Sequence, residues 1–580
     1  MKKLLLSLAA VAMAYASNAQ VVVAGVSPAS IVGNYANTWA QPTSGWGTPD
    51  FTVPGTFIVD TLMMVEDGST GTNAQGHPVS EEGCNPLIND LTGKIAVIYR
   101  NTCNFSVKAL NAQNAGAVGV IIINRDADPI EMGAGTDGTS VTIPVVMVGN
   151  ADGAALVNEM ANGSVVMFIG NKTGLFANDL AMSASATLIP KMTAVSSFLA
   201  QNGSEFNFEV GARIYNPGDS AQTGVTLKAK IVGPNSSVVY DNTVSGLTIA
   251  SGDSIDVVAG AANSLPQFSL ATYPAGVYTL TYTVTMDSTD EYPTDNTLSS
   301  TFFVSDSLMG YAQIDPETRL AAPTKYYRPS TNNQTFSVCN VINDANASRV
   351  AVQGLYFAAS NTTAALTGEE IALFLYKWED QFTDLNDANF GFNTLTEVAS
   401  SFYYFPGDYQ DSTLFGAFTT PVVLEDNVRY LACVQTSNTA VYFGHEGSTD
   451  YTWNLDMYLQ PQTPNESDGT YYATGFGSDN PNSVIVKVMD ANNIGINEIN
   501  EVAGSAYPNP ATDKVTVSIE GEGAATLTVT DLSGRVAVAN AINLVNGKAE
   551  VSTANLEAGM YIFNVVLENG KTAKFNVVKK

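Results

Sequence analysis

Three observations predict a mainly β, multidomain protein that begins with one α/β domain. The only strong strand–helix–strand pattern runs from Gly83 to Asn124, GCNPLINDLTGKIAVIYRNTCNFSVKALNAQNAGAVGVIIIN. Beyond about residue 178 the chain alternates short apolar and polar runs broken by Gly, Pro, Asn and Asp, as antiparallel sheets do. At 580 residues it has room for about four domains.

Met1 to Ala19 reads as a signal peptide: Lys2 and Lys3, an apolar run from Leu4 to Tyr15, then Ser17-Asn18-Ala19. Cleavage is expected between Ala19 and Gln20, and no cysteine stands there to take a lipid. No later apolar run approaches the ~20 residues that cross a bilayer, so an exported, soluble chain without a transmembrane span is expected.

The first folded domain is placed at residues 20–177. Lys94 to Arg100 and Val118 to Ile123 are β-branched runs without a polar stripe, as in strands covered on both faces. Between them Asn104 is a candidate helix cap. Phe105, Ala109, Ala112, Gln113 and Gly116 fall at helical spacing, and Gly116 suits the left-handed end. IPVVMV (Ile143 to Val148), a helix from about Ala151 to Ala161, and Val165 to Ile169 give a second strand–helix–strand unit. Trp39 and Trp46 flank a Pro/Gly-rich loop, where a ring tucked against the sheet is the more frequent case than a ligand contact. His77, Glu81 and Glu82 share a loop but nothing fixes a metal geometry.

Cys84, the GKIAVIYRNTCNF run with Cys103 and Phe105, Lys108, NAGAVGVIIIN, and IPVVMV followed by DGAALVNEM occur in order over roughly residues 25–176. This set resembles the protease-associated (PA) domain. The resemblance implies a lid or docking module attached to proteases and sorting receptors, without chemistry of its own.

Four cysteines in an exported chain suggest two disulfides; proximity favours Cys84–Cys103, which leaves Cys339–Cys433. The net charge of −30, from 25 basic and 55 acidic residues, repels phosphate backbones, so nucleic acid is not expected as a partner.

Residues 178–304 read as an immunoglobulin-like sandwich, with candidate strands from Glu205 to Ile214, Val225 to Ile231, Ser254 to Val258, Val277 to Thr285 and Ser300 to Val304. Its end, GVYTLTYTVTMDSTDEYPTDN, resembles that of bacterial adhesion-related modules. The turn holding Asp287, Asp290, Glu291 and Asp295 reads first as a solvated hairpin. A Ca²⁺ site is the alternative there, no ligand-loop spacing being met; no other cofactor and no metal site is specified.

Residues 305–495 hold about half of all Phe, Tyr and Trp and read as a larger jelly-roll-like sandwich. In Phe402-Tyr403-Tyr404-Phe405, alternation sends two rings to each face. One pair belongs in the core. The other either packs on a neighbouring domain, the favoured reading, or forms a platform for sugar rings. A linker is placed at 496–506.

Residues 507–580 predict a small β-sandwich of about seven strands: Val515, Val517 and Ile519 alternate, as do Tyr561, Phe563 and Val565. Ser533-Gly534 and Asn569-Gly570 mark hairpin turns. The Pro508-Asn509-Pro510 opening, the DLSGR turn with Gly534, the L-x-x-G-x-Y strand with Gly559 and Tyr561, and the lysine-ended last strand closely resemble the type A sorting domain of the type IX secretion system. That resemblance implies a two-membraned bacterium of the Bacteroidetes type. It also implies recognition by the translocon, cleavage by sortase-like machinery, and release or surface attachment.

No catalytic residue is predicted. The histidines are His77 and His445; His445-Glu446 begins an H-E-x-x-H string, but position 449 is Thr. No G-x-S-x-G elbow occurs. A carboxylate pair acting on a glycosidic bond needs no motif and would be sought in 305–495. The leading expectation is therefore a non-catalytic surface or secreted binding protein for an unidentified extracellular protein, peptide or glycan. A secreted hydrolase, glycosidase or divergent peptidase, is the alternative. The Gly-rich loop from Asn124 to Ile143, with Glu131 and Met132, is the candidate contact region.

Overall fold

A computed structural model describes residues 21–494 and 504–580, except 316, 330–333, 362, 384, 386, 459–460, 520, 532–534 and 568–570. Ala19, Gln20, Gly534, the Asn569-Gly570 turn and most of the expected linker lie outside the described residues. The chain divides into two compact units, one reaching Met489 and the other beginning at Asp490.

The first unit opens with an eight-stranded sheet. Its strands are β1 (Val21–Ser27), β2 (Gly33–Tyr35), β3 (Asn37–Trp39), β4 (Phe57–Met64), β5 (Ile95–Tyr99), β6 (Gly119–Ile123), β7 (Val145–Val148) and β8 (Val166–Asn171), in the order β2-β1-β8-β4-β5-β6-β7-β3. β4 to β7 run parallel, and the other pairings are antiparallel. Helix α1 (Phe105–Asn114) crosses between β5 and β6. After β7, α2 (Asn150–Asn162) carries the chain back across the sheet, so β8 pairs with β1 and β4 rather than β7.

Period-two alternation splits the central strands between two cores. Ala96, Ile98, Val120, Ile122, Val145 and Met147 face α1 through Ala109 and Ala112. Ile95, Val97, Tyr99, Ile121, Ile123, Val146 and Val148 face Leu156 of α2. Close approach of α2 depends on Gly153, where a Cβ would meet Ile123 Cγ2 at 2.3 Å. Asn104 stands at the N-cap of α1 but makes no side-chain cap bond; its carbonyl accepts from Lys108 N instead. Gly116 takes the left-handed conformation at φ +92°.

The middle of the chain is bound together by one long sheet. It runs from Ser237–Ile249 through Gln222–Gly233, Gly276–Thr285, Thr297–Ser305, Ala194–Ser196, Leu308–Gly310 and Ile485–Asp490 to Val350–Asn361, Val441–His445 and Lys325–Tyr327. The sheet is therefore continuous across residue 304. An aromatic core with Phe206, Phe208, Phe268 and Phe302 fills one end. At the other, a six-stranded sheet closes a sandwich over Phe336, Phe357, Leu373, Val434 and Phe443. Cys339 and Cys433 are direct cross-strand partners in that six-stranded sheet and are bridged, as are Cys84 and Cys103.

Among the described residues the second unit is a sandwich of a three-stranded and a four-stranded sheet. Val515, Val517, Ile519, Tyr561, Phe563 and Val565 fill its core, as their alternation requires. Asn509 ties the Pro508-Asn509-Pro510 opening to the last strand: its Nδ2 donates to Asn576 O at 2.6 Å and its Oδ1 accepts from Val578 N at 2.8 Å. Tyr561, two residues into the strand that starts at Gly559, donates its hydroxyl to Glu557 O at 3.1 Å.

Candidate functional site: an arginine cleft at the end of the parallel sheet

Parallel strands deliver the residues that follow them to one edge, where the chain turns away to its crossover. Here Tyr99-Arg100 follows β5, Asn124-Arg125 follows β6, and Asn150 opens α2 after β7. Together with His77 they line a cleft of about 290 Å³. A second, shallower hollow of about 390 Å³ shares Arg100 and Arg125 and is floored by Thr102, Cys103, Phe105 and Gly133.

Arg100 Nη1 donates to Asn124 Oδ1 at 2.7 Å and to Asp126 Oδ2 at 3.1 Å, while Arg125 Nε stands 3.8 Å from the same Asp126 oxygen. Arg100 and Arg125 thus share the one carboxylate of Asp126 at the rim of the cleft, in a chain of charge −30. Burial, then the Arg125 charge, lower the Arg100 pKa, and Asp126 works against both. Such forked donors match carboxylates in two-point geometry. His77 lies flat on Tyr99, ring centroids 3.8 Å apart.

The wall beneath is held by a buried polar hub. Glu82 accepts from Asn73 at 3.1 Å, Asn101 at 2.8 Å and Thr102 Oγ1 at 2.9 Å. Burial would raise its pKa; those bonds hold it below the usual range. Lys108, fully buried on α1, donates to Glu82 O at 2.6 Å. Burial pushes its ammonium down to about 8, with Glu82 and Asp67 opposing. The Cys84–Cys103 bridge fastens the same corner, which in the chain-entropy account contributes about 3 kcal/mol. The structural duty of Lys108 is invisible to hydrophobic periodicity, which counts a lysine as surface.

The Asn124 to Ile143 loop behaves differently from its expected role as a free contact region. Met132 is 3% exposed, packed in the α1-side core, and its carbonyl accepts from the buried Trp46 indole at 2.9 Å. It is not a contact residue: the loop's irregular backbone turns this thioether inward. Glu131 stays exposed, its carboxyl raised by desolvation and then by Asp479 of the aromatic sandwich. Asp128 accepts from Thr324 Oγ1 and lies 3.9 Å from Lys325 Nζ, so the loop's first half is docked on the same chain.

The acidic turn after Thr285 is likewise engaged. Asp290 accepts from Leu180 N at 2.9 Å, Glu291 from Asn178 N at 2.7 Å, and Asp295 lies 2.7 Å from Lys172 Nζ. Among the described residues no group of three or more His, Cys, Asp and Glu is arranged to hold a metal. His445 is fully buried between Tyr327 and Phe476, bonded to Phe443 O at 3.0 Å, and pushed down to about 4 by burial. A hollow of about 560 Å³ lies between the two middle sandwiches and is lined by Asp315, Glu446 and Asp450 among hydroxyl side chains. Sequence reading missed it because its walls come from segments more than a hundred residues apart.

Residues 61–156 match the PA domain and residues 505–579 match the secretion system C-terminal sorting domain. The chain is 38% identical over 87 residues to "Signal peptide peptidase-like 2" of Arabidopsis thaliana, covering 15% of this chain and 16% of that one. It is 36% identical over 105 residues to "Aminopeptidase YwaD" of Bacillus subtilis, covering 17% and 23%. It thus spans less than a quarter of either relative. Among solved structures, an aminopeptidase from Aneurinibacillus sp. strain AM-1 aligns at 21% identity and TM-score 0.19, over 27% of this chain and 31% of that one, too low to carry a structural argument. The chain joins a PA domain to a type IX sorting domain, which directs it to the extracellular space or outer surface, and no helix among the described residues is long and apolar enough to cross a membrane.

Proposed function

We propose that this exported chain is a non-catalytic binding protein whose PA domain takes a carboxylate-bearing peptide into the Arg100–Arg125 cleft. The observation that carries the reading is a strand-end cleft lined by two arginines that share a single carboxylate, Asp126, in a strongly acidic chain. A peptide carboxylate fits the guanidinium forks, and the shallow hollow over Phe105 offers an apolar seat to the neighbouring side chain. His445 is buried in packing, His77 lies flat on Tyr99 in the wall of the cleft, and the described residues include no free cysteine, which supports binding over nucleophilic chemistry.

Arg125 is the better handle, because its side chain is 42% exposed and Arg100 is partly structural. Arg125→Ala should weaken capture of peptides with a free C-terminus by about tenfold, as loss of one charge-assisted contact does, without lowering the melting temperature. Equal capture of free and amidated peptides would defeat the reading.

A hydrolase reading has one observation in its favour. Asp450, whose carboxyl is raised chiefly by burial, shares the 560 Å³ hollow with Glu446. One raised and one hydrogen-bonded carboxylate suit an acid–base pair. Turnover of a polysaccharide or protein that vanishes in Asp450→Asn would decide for it.

A further inference from the structure

The outer face of the six-stranded sheet carries aromatic rings at both ends, and only one end is covered. Its strands run Leu395–Tyr404, Glu370–Trp378, Arg429–Thr436, Phe336–Asn343, Asn465–Ser467 and Thr470–Tyr472. Ile371, Leu373 and Leu375 point inward to the sandwich core. On the outer face, Trp378 is buried under Phe382, Phe390 and Phe392, so the chain folds its own segment over that end. At the other end Phe402 and Tyr404 are each 58% exposed on alternate positions of the edge strand. Their neighbours Tyr403 and Phe405 pack inward against Phe357.

Three details make the open end a shaped surface. Ala372 lies directly opposite Phe402, so no bulky neighbour crowds that ring. Tyr404 lies opposite Glu370 and donates its hydroxyl to Glu370 Oε2 at 2.6 Å, which fixes the second ring. Phe374 and Tyr376, stacked with centroids 5.3 Å apart over the Cys339–Cys433 bridge, continue the surface inward. Alternate residues of a strand stand about 7 Å apart, so both rings present to one side at a spacing that consecutive units of a chain molecule can meet.

We propose that Phe402 and Tyr404 form a platform for a neutral or amino-sugar polysaccharide. Pyranose rings expose axial C–H groups on flat faces that stack on aromatic rings, and their hydroxyls donate to carboxylates such as Glu370. The charge of the surface selects the class. Glu370 and Glu397 are the ionic side chains on this face of the edge strand and the strand beside it, so an acidic polysaccharide meets repulsion while a neutral or amino-substituted one does not. This goes beyond the peptide cleft and stands without it, since the two surfaces share no residue.

The test is affinity electrophoresis of the whole secreted chain through gels containing a neutral glucan, a mannan, chitosan or alginate. The expected result is retardation by at least one neutral or amino-sugar polymer. Phe402→Ala with Tyr404→Ala should weaken it about tenfold or more, Phe402→Trp should keep it, and melting should be unchanged. Retardation by alginate alone, none by any polymer, or equal binding by the double variant would overturn the proposal. So would a concentration-dependent dimer that the double variant abolishes, because the edge strand would then serve a second copy.

Discussion

Lys108 shows how one side chain ties sequence to stability. A base whose folded pKa of about 8 lies below its ordinary 10.5 holds fewer protons when folded, between those values. Its contribution to stability therefore rises with pH across that window and is flat below it. The melting temperature of the native chain relative to Lys108→Met should climb from about pH 8 to about pH 10; a difference that does not change with pH would contradict the assignment. Met132, by contrast, is a residue where alternation gave no guidance, because a Gly-rich loop has no period. Truncating such a buried thioether costs about 2–5 kcal/mol, so it reports on packing and not on ligand contact.

At the scale of elements, the segment after β8 fastens the PA domain to the sandwich that follows. Lys172 lies 2.7 Å from both Asp179 and Asp295, all three buried, with Tyr292 under the ammonium at 4.3 Å. Asp179 is pushed up to about 7, by burial first and against the pull of Lys172. A carboxyl raised from 3.8 holds more protons folded than unfolded between about pH 4 and pH 7, so its contribution to stability falls as pH rises through that range. Asp179→Asn should flatten that fall, seen as a smaller drop in denaturation midpoint between about pH 4 and pH 7. An unchanged slope would locate the titration elsewhere. The carboxylates that composition marks as a solvated hairpin or a cation site are here fasteners between elements.

For the whole molecule, the decisive feature is the division at Met489. The second unit has its own core and its own sheets, as a part read by separate machinery requires. Removing Tyr507 to Lys580 should leave the remaining chain folded but hold it in the periplasm. Normal appearance of the truncated chain in the medium would reject the sorting role. The first unit, in contrast, is stitched along its length: one sheet crosses residue 304, and Asp128 meets Thr324 and Lys325.

What the sequence determined by itself is local. Runs such as KIAVIYR and VGVIII dictate strands buried on both faces, alternation in 515–519 and 561–565 dictates a two-layered terminal sandwich, and four cysteines resolve into two bridges by proximity. Only the tertiary structure decided which surfaces remain open. It turned Met132 inward, set the Asn124 to Ile143 loop on a distant sandwich, gathered Arg100, Asn124, Arg125 and Asn150 at one sheet edge, and left Phe402 and Tyr404 bare. The reason is physical: periodicity records that one face of an element is buried, whereas the identity of what buries it depends on contacts between residues hundreds of positions apart.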